Sequence, residues 1–269
     1  VSTSGSSGMA AKVAEPDERR YGPRMSETAS FGYREVPAEA KAGLVQDLFT
    51  QVAGRYDLMN DLMSLGIHRL WKAEMVDWLR VRPGLKVVDV AGGTGDIARA
   101  VMAAGAGSVT VVDLTPAMLA EGRARSLDAG RPEGIEWVAG NAEALPLPDR
   151  SFDAYTVAFG LRNVTHLDRA LAEARRVLKP GGRLIVLEFA PRATAGLNDL
   201  YDLYSFSVLP WLGEKVAGDR DAYVYLAESI RRFPDPEMLA RMIRKAGFGG
   251  HRHRSLSLGI AQLHAATRL

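Results

Sequence analysis

Four residues in a row, Gly92-Gly93-Thr94-Gly95, follow a short β-branched run from Lys86 to Ala91 and precede a helical stretch. Glycines at such a turn let the backbone approach a ligand closely and leave amide N–H groups pointing at it. Asp113 ends the next run, Ser108 to Leu114. A carboxylate there can accept both hydroxyls of a ribose, and loop plus acid make the nucleoside-binding pattern of doubly wound folds. The pattern does not choose the nucleoside. Gly93-x-Gly95-x-x-Ala98 also meets the relaxed dinucleotide fingerprint, so NAD and S-adenosylmethionine both stay open on the loop alone.

The elements around these residues narrow the choice. Asp89 lies inside the first run, placed to order the loop or to reach a cationic amino group. Asn141-Ala142 follow a third run, Ile135 to Gly140, at the level of an adenine edge. A fourth run is Tyr155 to Phe159 and a fifth Arg183 to Phe189. Helical stretches separate them, with start signals at Thr115-Pro116, at Thr165 with Asp168 as a capping box, and at Asp235-Pro236. Lys179-Pro180-Gly181-Gly182 reads as the turn launching the fifth strand. Strands alternating with helices predict a parallel α/β sheet with ligands at the carboxyl ends of its strands. Two β-like runs, Gly249 to Leu258 and Ile260 to Thr267, close the chain where a second mononucleotide half would otherwise stand. That ending favours a class I, Rossmann-like methyltransferase fold: seven strands, mostly parallel, the last antiparallel.

Composition sets the bounds. With 269 residues the chain can bury a large core without staples, and the absence of cysteine excludes disulfides and thiolate metal sites. No metal site is expected. A formal net charge of +2 gives no argument for nucleic acid. No apolar run approaches the roughly 20 residues of a spanning helix, so the expected location is cytoplasmic, with peripheral contact at the inner face of the membrane. Residues 1–30, with Ser4-Gly5-Ser6-Ser7-Gly8, read as a disordered leader or an expression linker. Residues 31–269 read as one domain, with a helical cap over 31–80 and a helical lid over 191–233 rich in aromatics (Tyr201, Tyr204, Phe206, Trp211, Tyr223, Tyr225).

Several longer motifs together resemble the UbiE family of ubiquinone/menaquinone C-methyltransferases. They are YDLMND from Tyr56, GIHRLW from Gly66, DVAGGTGD from Asp89, GNAEALPLPD from Gly140, FGLRNV from Phe159, LKPGGRLIVLEF from Leu178 and YLAESIRRFPD from Tyr225. The resemblance runs from about Phe31 to the C-terminus. It implies S-adenosylmethionine as cofactor and the ring carbon of a prenylated quinol as acceptor. That acceptor is 2-methoxy-6-polyprenyl-1,4-benzoquinol, demethylmenaquinol, or both. Thr94, Asp113, Asn141 and Ala142 match cofactor-contacting positions, beside Gly93, Gly95 and Leu114 of the nucleoside pattern. Ala158 stands where serine is common, which leaves only a backbone contact there. Arg162 and Asn163 are expected to face the methyl group, and Tyr56 and Asn60 to close over the substrate. Arg162 cannot act as a simple base because its guanidinium stays protonated; stabilising a phenolate or orienting a water suits it, unless it pairs with a carboxylate. His166 is the alternative base. The His251-Arg252-His253-Arg254 alternation reads as a solvated edge strand. An NAD-linked oxidoreductase and a non-catalytic scaffold of a quinone-synthesis complex are the rival readings.

Overall fold

The computed structural model describes residues 27–52, 61, 64, 66–130, 133–191 and 220–269. Five strands run parallel: β3 (Lys86–Val90), β4 (Ser108–Asp113), β5 (Ile135–Ala139), β6 (Phe152–Ala158) and β7 (Leu178–Phe189). The sheet order is β5-β4-β3-β6-β7-β9-β8, with β8 (Phe248–Leu256) at one edge. The last strand, β9 (Ala261–Arg268), inserts antiparallel between β7 and β8. This is the expected sheet, and its order reverses between β3 and β6, where a ligand crevice opens.

Both faces are covered, as near-continuous apolar strands require. Val87, Val109, Val111, Ile185 and Leu187 pack with Trp71, Met75 and Leu79 of α2 (His68–Leu79), with Ile97 and Val101 of α3 (Asp96–Ala103), and with Leu119 of α4 (Pro116–Asp128). Val88, Val90, Val112, Val157 and Val186 face Leu171 and Val177 of α5 (Leu167–Val177). The same face meets Leu239 and Ile243 of α7 (Pro236–Lys245). Two further helices, α1 (Ala38–Val52) and α6 (Arg220–Arg232), lie toward the ligand edge.

Three local expectations change. The cap does not start with a helix: Thr28–Phe31 (β1) and Arg34–Pro37 (β2) form an antiparallel hairpin, so Thr28 to Ser30 belong to the fold and not to a leader. Lys179 to Gly182 do not precede β7 but bulge out of it, because register jumps from Phe152↔Leu178 to Ala154↔Arg183. Thr165 makes no capping box with Asp168. The N-cap of α5 is His166, without a side-chain bond, and Thr165 N–H instead donates to Glu143 Oε1 at 2.6 Å. By contrast Asp235 caps α7 as expected, accepting from Met238 N–H at 2.7 Å. The leader to residue 26, Tyr56, Asn60 and the lid aromatics Tyr201, Tyr204, Phe206 and Trp211 lie outside the described residues.

On β8 the alternation holds. Arg252 lies over the Trp78 ring at 4.2 Å, whereas His251 and His253 turn to the other face and stack beside the buried His264. His68 is structural, buried and bonded to Ser64 Oγ at 2.9 Å.

Candidate active site

Each strand end contributes one turn to the crevice. After β3 the chain bends through Ala91 at φ 51° and Gly93 at φ 55°; after β6 it bends through Phe159 at φ 59°. A non-glycine residue in the left-handed region is strained, and such strain concentrates at functional sites. The two turns touch: a Cβ on Gly160 would lie 2.4 Å from the Ala91 Cβ, so only glycine fits. Gly95, at φ 79°, caps α3, and a Cβ there would lie 2.4 Å from the Trp137 ring. A Cβ on Gly122 would meet the same ring, also at 2.4 Å. Trp137 on β5 therefore fixes the loop from outside, a role no motif suggested.

Asp113 closes the loop against β4. Its Oδ2 accepts from Gly93 N–H and its Oδ1 from Thr115 N–H, both at 2.8 Å. Burial pushes its carboxyl up against the pull of these amides. The carboxylate lines the cleft, and its oxygens can each accept more than one hydrogen bond.

The cleft is partly open to solvent and lies where the sheet order reverses, the place where a nucleoside binds in such folds. Gly93, Asp113, Leu114, Asn141, Ala142 and Asn163 all line it, together with Met118 and Glu143. Ala42, Val45 and Phe49 of α1 cover it. The Asn141 carboxamide oxygen accepts from Glu143 N–H at 2.9 Å, which leaves its N–H₂ for a ligand edge.

A smaller recess continues from the cleft through the shared Ala91 and Phe159. Lys72, Asp89, Gly92, Thr94, Asp96 and Ala158 line it. Asp89 is 1% exposed; Thr156 Oγ1 donates to its Oδ1 at 2.7 Å, while its Oδ2 has no hydrogen-bond partner among the described residues. Burial pushes the Asp89 carboxyl up to about 7, although Thr156 and Lys72 oppose the shift. Across the recess the Lys72 ammonium lies 3.0 Å from Asp96 Oδ2, and Asp96 also pairs with Arg99. Burial would raise the Asp96 carboxyl, but the two cations outweigh it and hold it below its ordinary value. One carboxylate shared by two cations leaves positive charge at Lys72.

Arg162 takes the alternative given for it and pairs with a carboxylate. It does not line the cleft. Its Nη1 binds Glu188 Oε1 at 2.6 Å and the Phe159 carbonyl at 2.5 Å, with both charged side chains 1% exposed. Its guanidinium also lies 5.6 Å from the centre of the Phe189 ring. The charge expected at the methyl group is neutralised by a carboxylate on the neighbouring strand. Asn163, the next residue, does reach the cleft. His166 does not line it. Glu143 and Glu188 sit inside the quoted motifs and Lys72 directly after one, yet nothing local marks them, because their partners are distant in sequence.

The comparisons with known proteins agree with this geometry. The model of the ubiE/COQ5 methyltransferase family matches residues 29–268. A ubiquinone/menaquinone biosynthesis C-methyltransferase UbiE of a Ruegeria species is 55% identical over 243 residues, covering 90% of this chain and 97% of the relative. The same-named protein of Paracoccus denitrificans is 56% identical over 240 residues, 89% of this chain and 96% of the relative. Solved structures share the fold at lower identity. The cyclase SpnF has a TM-score of 0.62 at 19% identity, covering 83% of this chain and 94% of its own. A methyltransferase of Thermotoga maritima, described as a possible histamine N-methyltransferase, has 0.59 at 24%, covering 84% and 100%. That a cyclase shares the sheet shows that fold alone does not give the reaction. The family match and the intact loop do: the chain belongs to the ubiE/COQ5 methyltransferase family, as an S-adenosylmethionine-dependent C-methyltransferase.

Proposed function

We propose that the enzyme methylates a ring carbon of a prenylated quinol, the benzoquinol of ubiquinone synthesis, demethylmenaquinol, or both. The relatives' names supply the substrate class. The observation that carries the cofactor assignment is the recess beside the nucleoside cleft. It presents an unpartnered buried carboxylate oxygen of Asp89 and a cationic Lys72. An amino-acid arm, with its ammonium and carboxylate, fits these charges. The pyrophosphate of NAD does not, because Asp89 would repel it at the glycine loop. Gly92 adds to the fit, since a Cβ there would stand 2.8 Å from Asp89 Oδ2 and fill the approach.

In this reading Asp113 holds the ribose hydroxyls. Asn141 and Ala142 meet the adenine edge, and Leu114 and Met118 pack on its faces. Thr94 orders the loop, and Ala158 offers backbone alone. The bound cofactor supplies an electrophilic methyl group. The protein must bring a ring carbon in line with it and exclude water. The carbon becomes nucleophilic as the quinol hydroxyl loses its proton. Asn163 is the group on the cleft wall suited to donate to that oxygen or to hold a water that takes the proton. Arg162, paired with Glu188, fixes the turn that carries Asn163. Tyr56 is proposed to close over the substrate. Among the described residues no helix is long and apolar enough to cross a membrane, so a bilayer-borne quinol would be reached by reversible surface contact. Flotation with anionic liposomes at low salt tests that contact.

The reaction is tested by a mass-resolved product assay with labelled S-adenosylmethionine and short-tail benzoquinol and naphthoquinol side by side. A ring-methylated product is expected from at least one. No product from either, with cofactor binding intact, overturns the acceptor. A thermal shift with NADH but not with S-adenosylhomocysteine overturns the cofactor; a ligand at 100 times its Kd should add about 2.7 kcal/mol.

A further inference from the structure

One of the sequence motifs, YLAESIRRFPD from Tyr225, has no task in the cleft as described above. It lies on α6 and the bend after it. Three contacts tie this helix to the rest of the site. Tyr225 O–H donates to Asn163 Oδ1 at 3.0 Å. The Tyr225 ring stacks on Phe31 of the hairpin, with centroids 4.3 Å apart and planes at 27°. Glu228 Oε2 accepts from Tyr33 N–H at 2.9 Å. At that hairpin turn Gly32 takes φ 62°, and a Cβ on it would come within 2.2 Å of Glu228 Oε2. The hairpin thus grips α6 at Tyr225 and again at Glu228, one turn further on, and sets where the Tyr225 hydroxyl ends.

We propose that Tyr225 is a positioning residue for methyl transfer: its hydroxyl fixes the side-chain amide of Asn163 so that the N–H₂ group faces the acceptor oxygen. The inference rests on the quinol reading above. A carboxamide has two ends of similar shape and opposite hydrogen-bonding sense. Turned one way, Asn163 offers two N–H donors to the cleft; turned the other, it sets a carbonyl against an oxygen that is gaining negative charge. Tyr225 decides between them. Its hydroxyl is buried, and Asn163 is the hydrogen-bond partner the structure gives it. A flipped amide would offer N–H to the phenol and leave the buried phenolic proton without an acceptor, which is the costly case. Burial pushes the Tyr225 phenol up, so it keeps the proton it donates. The turn's backbone is held separately, by Asn163 N–H on the Gly160 carbonyl at 3.1 Å and by Arg162 on Glu188. Tyr225 therefore controls the side chain and not the turn.

The test is a cycle of Tyr225→Phe, Asn163→Ala and the double variant, with kcat, KM, calorimetric Kd for S-adenosylhomocysteine and melting temperature measured for each. Loss of one neutral hydrogen bond predicts a roughly three- to tenfold fall in kcat for Tyr225→Phe, with cofactor Kd unchanged. In the Asn163→Ala background the same change should have no further effect on kcat. An unaltered kcat, or an effect that persists undiminished without Asn163, overturns the proposal. A readout independent of turnover is the side-chain N–H₂ pair of Asn163 in a ¹⁵N-resolved spectrum. It should move in Tyr225→Phe, and an unmoved pair also overturns the proposal. If the wild type methylates no quinol while the pair moves, the acceptor assignment fails and the Tyr225 contact stands.

Discussion

On the nucleoside wall of the cleft, Gly93, Asp113 and Asn141 follow or end β3, β4 and β5, three strands side by side in the sheet. The bonds that fix them are short in sequence: two residues separate Asp113 from Thr115 and Asn141 from Glu143, and 20 separate Gly93 from Asp113. On the acceptor wall, Asn163 depends on Arg162–Glu188 across 26 residues and on Tyr225 across 62, and the hairpin clamp behind it spans 195. The first wall is local backbone geometry with a carboxylate added. The second is a tertiary assembly around a buried ion pair. Damage to the first should therefore appear as lost affinity, and damage to the second as lost stability and turnover.

The sharpest way to break this contrast is Glu188→Ala. Removing one partner of a buried ion pair strands the other charge, at a cost of about 3–5 kcal/mol. For a chain of this size that is a fall of roughly 6–20 °C in melting temperature. Differential scanning calorimetry checks it, and an unchanged midpoint would mean the acceptor wall does not hang on this pair. Arg162→Lys should fall in the same direction by less, because lysine keeps the charge and loses the planar fork.

Asp113→Ala is the matching cut on the nucleoside wall. It removes charge-assisted hydrogen bonds on the order of 1.5–3 kcal/mol each. The Kd for S-adenosylmethionine should rise at least about tenfold by calorimetry. An unchanged Kd would remove Asp113 from the ribose.

The same contrast explains what could be read from the sequence. The glycine loop, Asp113 and the strand runs were legible because each is a local pattern, apolar strand then glycines then acid. The closing pair of β-runs even gave the antiparallel last strand. The hairpin at 28–37 was not, since four-residue strands carry too little periodicity. Lys179 to Gly182 looked like a turn because proline and glycine usually mark one, yet here the bulge lets β7 start earlier. The pairing of Arg162 stays open in the sequence for a deeper reason. Its carboxylate lies on β7, the strand next to β6, and only the register of those strands brings Glu188 beneath the turn.

A smaller effect separates the two ends of the cofactor. Lys72→Met should raise the Kd for S-adenosylhomocysteine by roughly tenfold, the value of one exposed-to-buried charge contact of about 1.4 kcal/mol. The decarboxylated analogue should bind both proteins alike. Equal losses for both ligands would show that Lys72 shapes the recess without meeting a carboxylate.

The least disruptive probe changes no residue, only pH, and its effect on cofactor affinity falls on the recess beside the nucleoside wall. Burial first, and then the neighbouring Asp113 and Asp96, raise Asp89 to about 7, against Thr156 and Lys72. A folded-state pKa above the unfolded value means the folded protein holds a proton there. The stability this contributes is complete below the ordinary carboxylate range and is lost as pH rises through about 7. Relative to Asp89→Asn, the ligand-free enzyme should therefore melt somewhat lower at pH 8.5 than at pH 6. Cofactor binding runs the other way, because an ammonium group needs the ionised carboxylate. The Kd should fall as pH rises toward 7 and level off above it, changing by at most about tenfold per unit, with protons released on binding at pH 6. Burial pushes His68, His251 and His264 down, so they favour folding as pH rises through the ordinary histidine range of about 6.5 and oppose the Asp89 trend in melting. None of them lines the recess, and the comparison with Asp89→Asn cancels them. Asp89→Asn should bind more weakly at high pH and show a flat profile. A wild-type Kd independent of pH between 6 and 8 would mean that Asp89 orders the glycine loop and does not meet the amino group.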